Sequence, residues 1–367
     1  MAANGPQPNP WITAIRAYEP GRARLRQGGE AIKLSANENP WGPSPAVVEV
    51  IRAHAHGVHR YPDGSARRLR ERLAALHDLE PERIVCGTGS DELLNLVPLI
   101  YCRPGDSVVH VRHGFMVYPI AARRAGAEPL AAPDRDYVAD VDALLGTVRS
   151  DTRVVFLANP NNPTGTMIDR AALAHLHAGL PPHVVLVVDQ AYAEYLDDPD
   201  PDGALALARW APNVIVTRTF SKIYGLGGLR VGWATGPAAI MTELDRVRAP
   251  FPISTLGLVA AETAVSDQDW VARCRAATRI QRARLEAAIA RHAHRGLRAV
   301  PSSANFVLVL CPDEGPCSAP ALLAGLEDRG ILVRHLPSQG LPQALRITVG
   351  TEDETSRLIA ALDELAA

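Results

Sequence analysis

Six short runs punctuate the chain between residues 83 and 234: R-I-V-C (83–86), S-V-V-H-V (107–111), R-V-V-F-L-A (153–158), H-V-V-L-V-V (183–188), N-V-I-V-T-R (213–218) and L-R-V-G-W-A (229–234). Each is continuous in apolar, mostly β-branched residues and does not alternate with polar ones, which is the pattern of strands buried on both faces. Such strands need a largely parallel sheet with helices on either side. Amphipathic stretches such as Asp91–Tyr101 and Asp169–Ala178 lie between them and supply that cover. The chain therefore reads as α/β, with a mostly parallel, doubly wound central sheet.

The two ends differ from this middle. Residues 1–40 are rich in Pro, Gly and Asn and read as an arm or loop. From Pro252 the pattern turns helical, with a long Arg- and Ala-rich helix over roughly 267–294. Short strands follow at N-F-V-L-V-L (305–310), I-L-V-R (331–334) and L-R-I-T-V (345–349), then a last helix from Glu352. This predicts three parts: an arm that also joins the small domain (1–45), a large ligand-binding domain (46–250) and a smaller α+β domain (251–367).

A net charge of −2 with acids and bases well mixed argues against a nucleic-acid face or a polybasic membrane patch. The five cysteines are odd in number and form no C-x-x-C pair, so neither a disulfide framework nor a zinc site is expected. The histidine clusters at 54/56/59, 175/177 and 292/294 lack nearby acidic ligands and read as solvated faces. The N-terminus has no apolar signal region and no run is long enough to span a bilayer, so a cytoplasmic enzyme or binding protein is expected.

In an open α/β sheet the ligand sits beyond the carboxyl ends of the strands. After R-I-V-C comes G-T-G-S-D-E (87–92). Exposed N–H groups at that helix start suit a phosphate, and the same residues equally suit a glycine turn with a Ser or Asp cap. The dinucleotide spacing G-x-G-x-x-G is absent, because Glu92 stands three after Gly89, and so is the P-loop pattern. After the third run comes N-P-N-N-P-T-G (159–165), a tight loop that presents Asn162. After the fourth comes D-Q-A-Y (189–192). A carboxylate there must find a partner: Asp189 either caps the next helix or pairs with a cationic ring nitrogen on a ligand. Tyr192 follows three residues on.

After the fifth run comes T-F-S-K (219–222). Lysine occurs at only two positions, Lys33 and Lys222, while every other basic residue among 38 is arginine. A chain that prefers arginine keeps a lysine where arginine cannot serve, as a nucleophile or base of adjustable pKa. Arg230 follows a glycine-rich loop and suits a phosphate. Together these strand ends ask for a ligand with a phosphate, a ring nitrogen and a group that accepts an amine. Pyridoxal 5′-phosphate has all three.

With those residues in view, the chain resembles the fold-type I, pyridoxal-phosphate-dependent aminotransferases, and more narrowly the histidinol-phosphate aminotransferase family. The matching segments run almost end to end: L-S-A-N-E-N-P-W-G-P (34–43), Y-P-D-G (61–64), G-S-D-E-L-L (89–94), N-P-N-N-P-T-G, A-Y-A-E-Y (191–195), T-F-S-K-I-Y-G-L-G-G-L-R (219–230), S-S-A-N-F (302–306), G-I-L-V-R (330–334) and L-R-I-T-V-G-T (345–351).

The resemblance implies roles residue by residue. Lys222 would be the Schiff-base lysine and the base that moves a proton at the reacting carbon. Asp189 would hold the ring nitrogen, Asn162 and Tyr192 the ring's phenolic oxygen, and Phe115 would stack on the ring. The backbone of Ser90 and Asp91, with Thr219, Ser221 and Arg230, would hold the phosphate. Tyr61 would reach the phosphate of a neighbouring subunit, which implies a homodimer. Arg334 and Arg346, helped by Tyr18 and Asn37, would grip the substrate's phosphate or carboxylate.

The expected reaction joins histidinol phosphate and 2-oxoglutarate, with phenylalanine or tyrosine transamination as an alternative and a threonine-phosphate decarboxylase as a more distant one. A ligand-sensing regulator would need a DNA-binding segment for which the short arm before Lys33 has no room. Three departures from the family pattern stand out: Gln190 where many members carry Glu, P-F-P-I-S (250–254) for the commoner P-F-N, and H-G-F (113–115) for P-T-F.

Overall fold

The structure is a computed structural model and describes residues 5–17, 21–22, 24–25, 28 and 30–367. Its centre is a seven-stranded sheet of β1 (Ile84–Gly87), β2 (Ser107–Val111), β3 (Glu128–Ala132), β4 (Thr152–Ala158), β5 (Val185–Asp189), β6 (Val214–Thr219) and β7 (Gly232–Thr235). The order across the sheet is β1-β7-β6-β5-β4-β2-β3, and every neighbouring pair is parallel except those made by β7.

The continuous apolar runs are explained by two-sided burial. Val155 and Leu157 of β4 join one core with Leu186 and Val188 of β5, while Val154 and Phe156 join another with Val185 and Val187. Successive side chains thus feed opposite faces, and neither face meets water.

Strand β3 had no counterpart among the six expected runs. E-P-L-A-A is half exposed and carries Pro129, a composition that only an edge strand tolerates. The sixth run also shifts, from 229–234 to Gly232–Thr235, because Arg230 takes a left-handed conformation at φ 55° before the strand can start.

Around this sheet lie α1 (Pro45–His54), α2 (Gly89–Tyr101), α3 (Val117–Arg124) and α4 (Ala204–Trp210). The helical region after Pro252 is divided: α5 (Thr255–Ser266) ends before α6 (Gln268–Arg291), and the Asp267 carboxylate caps the new helix by accepting from Trp270 N at 3.2 Å. Ile253, Leu258, Ala261, Val271 and Cys274 all pack into the large core. The large and small cores therefore share α6, whose Leu285 and Ile289 lie in the small one.

The second sheet is antiparallel: β8 (Arg298–Val300), β9 (Phe306–Leu310), β10 (Arg334–Leu336) and β11 (Leu341–Thr348), in the order β8-β9-β11-β10. Helices α7 (Ala319–Asp328) and α8 (Glu352–Leu365) cover one face through Leu322, Leu326, Leu358 and Leu362. The expected strand 331–334 splits here. Ile331 and Leu332 pair in parallel with Ile32 and Lys33, and Arg334 begins β10. The segment around Lys33 is thereby fastened to the small sheet and leads directly into the cleft between the two sheets.

Candidate active site

The carboxyl ends of β4, β5 and β6, the start of α2 and the loop after Lys33 enclose a cavity of about 650 Å³. Its lining includes Asn37, Ser90, Asp91, Phe115, Asn162, Asp189, Tyr192, Thr219, Ser221, Lys222, Arg230 and Arg346, so twelve of the expected site residues meet in one place.

One end of the cavity is an anion cup. Gly89 opens α2 with φ +75°, and a Cβ there would fall 2.6 Å from Arg230 Nη2. A Cβ on Gly232 would fall 2.1 Å from Ser90 N. Glycine is required at both positions, because the arginine and β7 press directly on the helix start. Arg230 Nη1 donates to Ser221 Oγ and to Gly227 O, both at 3.1 Å, and Thr219 Oγ1 donates to Ser221 Oγ at 3.0 Å. Helix N–H groups, two hydroxyls and a guanidinium converge, which is the donor set a phosphate needs.

At the other end Asp189 is 4% exposed. Its Oδ2 accepts from Tyr118 OH at 2.9 Å and its Oδ1 from Thr217 Oγ1 at 3.2 Å. Burial raises its pKa to about 6, and those two hydroxyls together with the Ala191 N–H limit the rise. A buried carboxylate facing an open cavity with only neutral donors is suited to a cationic ring nitrogen. Phe115 lines the cavity beside it and meets Tyr118 edge-on at 5.7 Å.

Between the ends stands Lys222, its Nζ 5.6 Å from the Tyr192 ring centroid. Burial, then the charges of Arg346 and Arg230, pull its pKa down to about 8, against the opposing pull of Glu38 and Asp189. Tyr192 OH accepts from Asn37 Nδ2 at 3.0 Å. Asn37 is itself locked at φ 54°, its N–H donating to Thr348 Oγ1 at 2.9 Å and its carbonyl accepting from Asn305 Nδ2 at 3.1 Å. Arg346 Nη1 donates to Asn162 Oδ1 at 2.5 Å, and Nη2 donates to Ser35 O at 3.1 Å.

Three expected residues stand elsewhere. Arg334 is the cross-strand partner of Arg346, so both side chains leave the same face of the small sheet. Arg334 lines adjoining pockets with Arg16 and Ser338, the narrower of which shares Ile120 with the main cavity. Tyr61 is 84% exposed and stacks on Phe251 at 4.6 Å, away from the cavity of its own chain. Tyr18 lies outside the described residues.

Sequence reasoning missed Tyr118 and Thr217 as the partners of Asp189, and Asn95 and Arg124 in the cavity wall. Tyr118 was within reach, since it follows Phe115 by one helical turn in H-G-F-M-V-Y.

The cup, the buried carboxylate and the amine between them fit pyridoxal 5′-phosphate. Fold and site together define a fold-type I, pyridoxal-phosphate-dependent transferase. The family model for aminotransferase class I and II matches residues 29–362. The chain is 51% identical over 366 residues to a histidinol-phosphate aminotransferase of Erythrobacter litoralis, covering 100% of this chain and 99% of that one. It is 52% identical over 345 residues to one from Ruegeria pomeroyi, covering 94% of each. The crystal structure of histidinol-phosphate aminotransferase from Sinorhizobium meliloti in complex with pyridoxal-5′-phosphate superposes with a TM-score of 0.90 at 30% identity, covering 100% of this chain and 99% of that one. The chain belongs to the aminotransferase class I and II family and, within it, to the histidinol-phosphate aminotransferases.

Proposed function

We infer that the chain transfers the amino group of histidinol phosphate to 2-oxoglutarate in histidine biosynthesis, giving imidazole acetol phosphate and glutamate. Besides the family, the observation that carries the substrate is the register Arg334↔Arg346. The two guanidiniums leave the same face of the small sheet, Arg346 in the cavity wall and Arg334 in the adjoining pocket, and so can both reach an incoming anion. Guanidinium forks grip phosphate and carboxylate with the same bidentate geometry, so one pocket would serve both the phosphorylated donor and the dicarboxylate acceptor.

When bound, pyridoxal 5′-phosphate supplies the carbonyl that receives the amino group and an electron sink for the pair left at Cα. The protein's part follows from its own residues. The backbone of Ser90 and Asp91, with Thr219, Ser221 and Arg230, would hold the phosphate, and Phe115 would face the ring. Asp189 would keep the ring nitrogen protonated through a charge-assisted hydrogen bond. Tyr192, oriented by Asn37, and Asn162, held by Arg346, would bond the ring oxygen. Lys222, once displaced by the substrate amine, would take the proton from Cα and deliver it to the cofactor carbon that bore the carbonyl, on the far side of the transferred nitrogen. A pKa of about 8 suits that two-way transfer near neutral pH.

The exposed Tyr61–Phe251 stack supports a homodimer in which Tyr61 reaches the neighbour's anion cup. Among the described residues no helix is long and apolar enough to cross a membrane. We place the enzyme in the cytoplasm on the strength of its pathway.

The test is a donor panel with 2-oxoglutarate: histidinol phosphate, phenylalanine, tyrosine and threonine phosphate. Histidinol phosphate should give the highest kcat/KM for glutamate formation. A phenylalanine or tyrosine value that exceeds it would assign the aromatic activity instead, and CO2 release from threonine phosphate without glutamate would assign the decarboxylase.

A further inference from the structure

Gln190 follows Asp189 just past the end of β5, but its fully buried side chain turns to other partners. Its Oε1 accepts from Arg218 Nε at 2.9 Å and Nη2 at 2.7 Å, while its Nε2 donates to Asp202 Oδ1 at 2.6 Å. Asp202, also fully buried, precedes α4 and accepts from Ala204 N at 3.0 Å and, through Oδ2, from Asn159 Nδ2 at 2.7 Å. Asn159 begins the loop that carries Asn162, and its N–H donates to Asp189 O at 2.9 Å. The bonds close a ring: Asp189, Gln190, Asp202, Asn159 and back to Asp189. Two cofactor-facing residues are thus held from behind by a carboxylate that belongs to no motif.

We propose that Asp202 is a positioning residue for the cofactor site, joined through Gln190 and Asn159 to the Asp189 strand end and the Asn162 loop. The proposal rests on the assignment of Asp189 and Asn162 to the cofactor. Donor and acceptor roles around the ring are fully determined. Arg218 can only donate, so it holds the Gln190 carbonyl toward itself and turns the Gln190 amide toward Asp202. Asn159 spends its other side-chain donor bond on Ile168 O at 3.0 Å, so its remaining N–H faces Asp202. Asp202 must therefore accept from both sides, which a carboxylate does and an amide cannot. The other charged groups nearby are Glu194, 3.7 Å from Arg218, and Asp200, which acts on Asp202. His77, stacked on Trp233 under Arg218, stays neutral because burial pushes its pKa to about 3.

The test is a three-variant set read by the dissociation constant of pyridoxal phosphate from the apoenzyme, with Tm measured alongside. Asp202→Asn sets a donor against a donor and should weaken cofactor binding about tenfold or more. Gln190→Glu faces two carboxylates across 2.6 Å, so one must carry a proton. Loss of that proton as pH rises then drives Asp202 from Asn159, and the dissociation constant should climb with pH more steeply than in the wild type. The double variant moves the carboxylate from position 202 to position 190. The relocated carboxylate then accepts from Arg218 and from the new amide at position 202, whose oxygen accepts in turn from Asn159, leaving only the Ala204 N–H unpaired. Binding should return to within about threefold of wild type with the added pH dependence removed.

A lowered Tm with unchanged cofactor affinity and pH profile in both single variants would reduce Asp202 to a structural role and overturn the proposal. So would a double variant no better than the worse single one. Should Asp202→Asn fail to fold, Gln190→Glu and the double variant still decide. Failure of the wild-type chain to bind pyridoxal phosphate would instead refute the function proposed above.

Discussion

The depressed pKa of Lys222 gives the sharpest quantitative expectation. A fall from 10.5 to about 8 amounts to at most about 3 kcal/mol against the charged form, because the side chain is only half-buried and cleft water screens it. At pH 7.5 about a quarter of the amines would be neutral, against about 0.1% for an unperturbed lysine. Reaction of the apoenzyme with an amine-selective reagent, followed across pH by peptide mapping, should show a midpoint near 8 at Lys222. Lys33 is the only other lysine, so the map has two lysine peptides to separate, and the α-amino group, which titrates at about 8 on its own, maps to the N-terminal peptide apart from both. Burial is the largest cause of the shift and Arg346 the next, so Arg346→Gln should move the midpoint upward by less than the full shift.

Stability carries the same signature. Between about pH 8 and 10.5 the unfolded chain holds the proton that folded Lys222 has lost, so this residue makes stability rise with pH across that window. Buried Cys86 and Cys311, pushed up to about 12, contribute the opposite slope, and the wild-type minus Lys222→Met difference isolates the lysine. A labelling midpoint at the unperturbed lysine value, unmoved by Arg346→Gln, would refute the electrostatic account.

Three further outcomes are expected. Tyr118→Phe removes a hydrogen bond to a buried carboxylate, worth about 1.5–3 kcal/mol, so the Asp189 pKa should rise further and cofactor affinity at pH 7 should fall about tenfold or more by absorbance titration. Arg346→Lys replaces a bidentate fork with a point charge and also cuts the bond to Asn162; kcat/KM for both substrates should drop by about two orders of magnitude in steady-state kinetics, and a drop confined to one would separate their binding sites. Phe251→Ala removes the ring under Tyr61 and should weaken cofactor binding in the proposed dimer. Mixing that variant with Lys222→Ala should restore one sound site per heterodimer if Tyr61 acts across the interface, and no recovery would place its action within its own chain.

What the sequence disclosed and what it withheld have a common physical origin. Two-sided burial leaves continuous apolar runs, and the ligand edge of a parallel sheet follows from topology, so Asp189, Asn162, Lys222 and the start of α2 could be read from the residues that end each run. Strand β3 was lost because an edge strand need not be apolar, and E-P-L-A-A carries exposed positions and a proline. The partners of the site residues were lost for another reason. Asn37 meets Tyr192 across 155 residues, and Arg346 meets Asn162 across 184. Nothing local at either end records such a pairing, since each side chain only needs the right donor at a distance set by how two sheets close on one another. The same holds for Asp202, which looks like one of several acids in D-D-P-D-P-D (197–202). Its neighbours Asp197 and Asp198 are exposed while Asp202 is fully buried, and only the fold makes that distinction. Gln190 was visible as a departure but could not be interpreted alone. Its neutral amide fits between Arg218 and Asp202 because the carboxylate this buried site requires is supplied from position 202, so the departure and the unremarked aspartate form one feature.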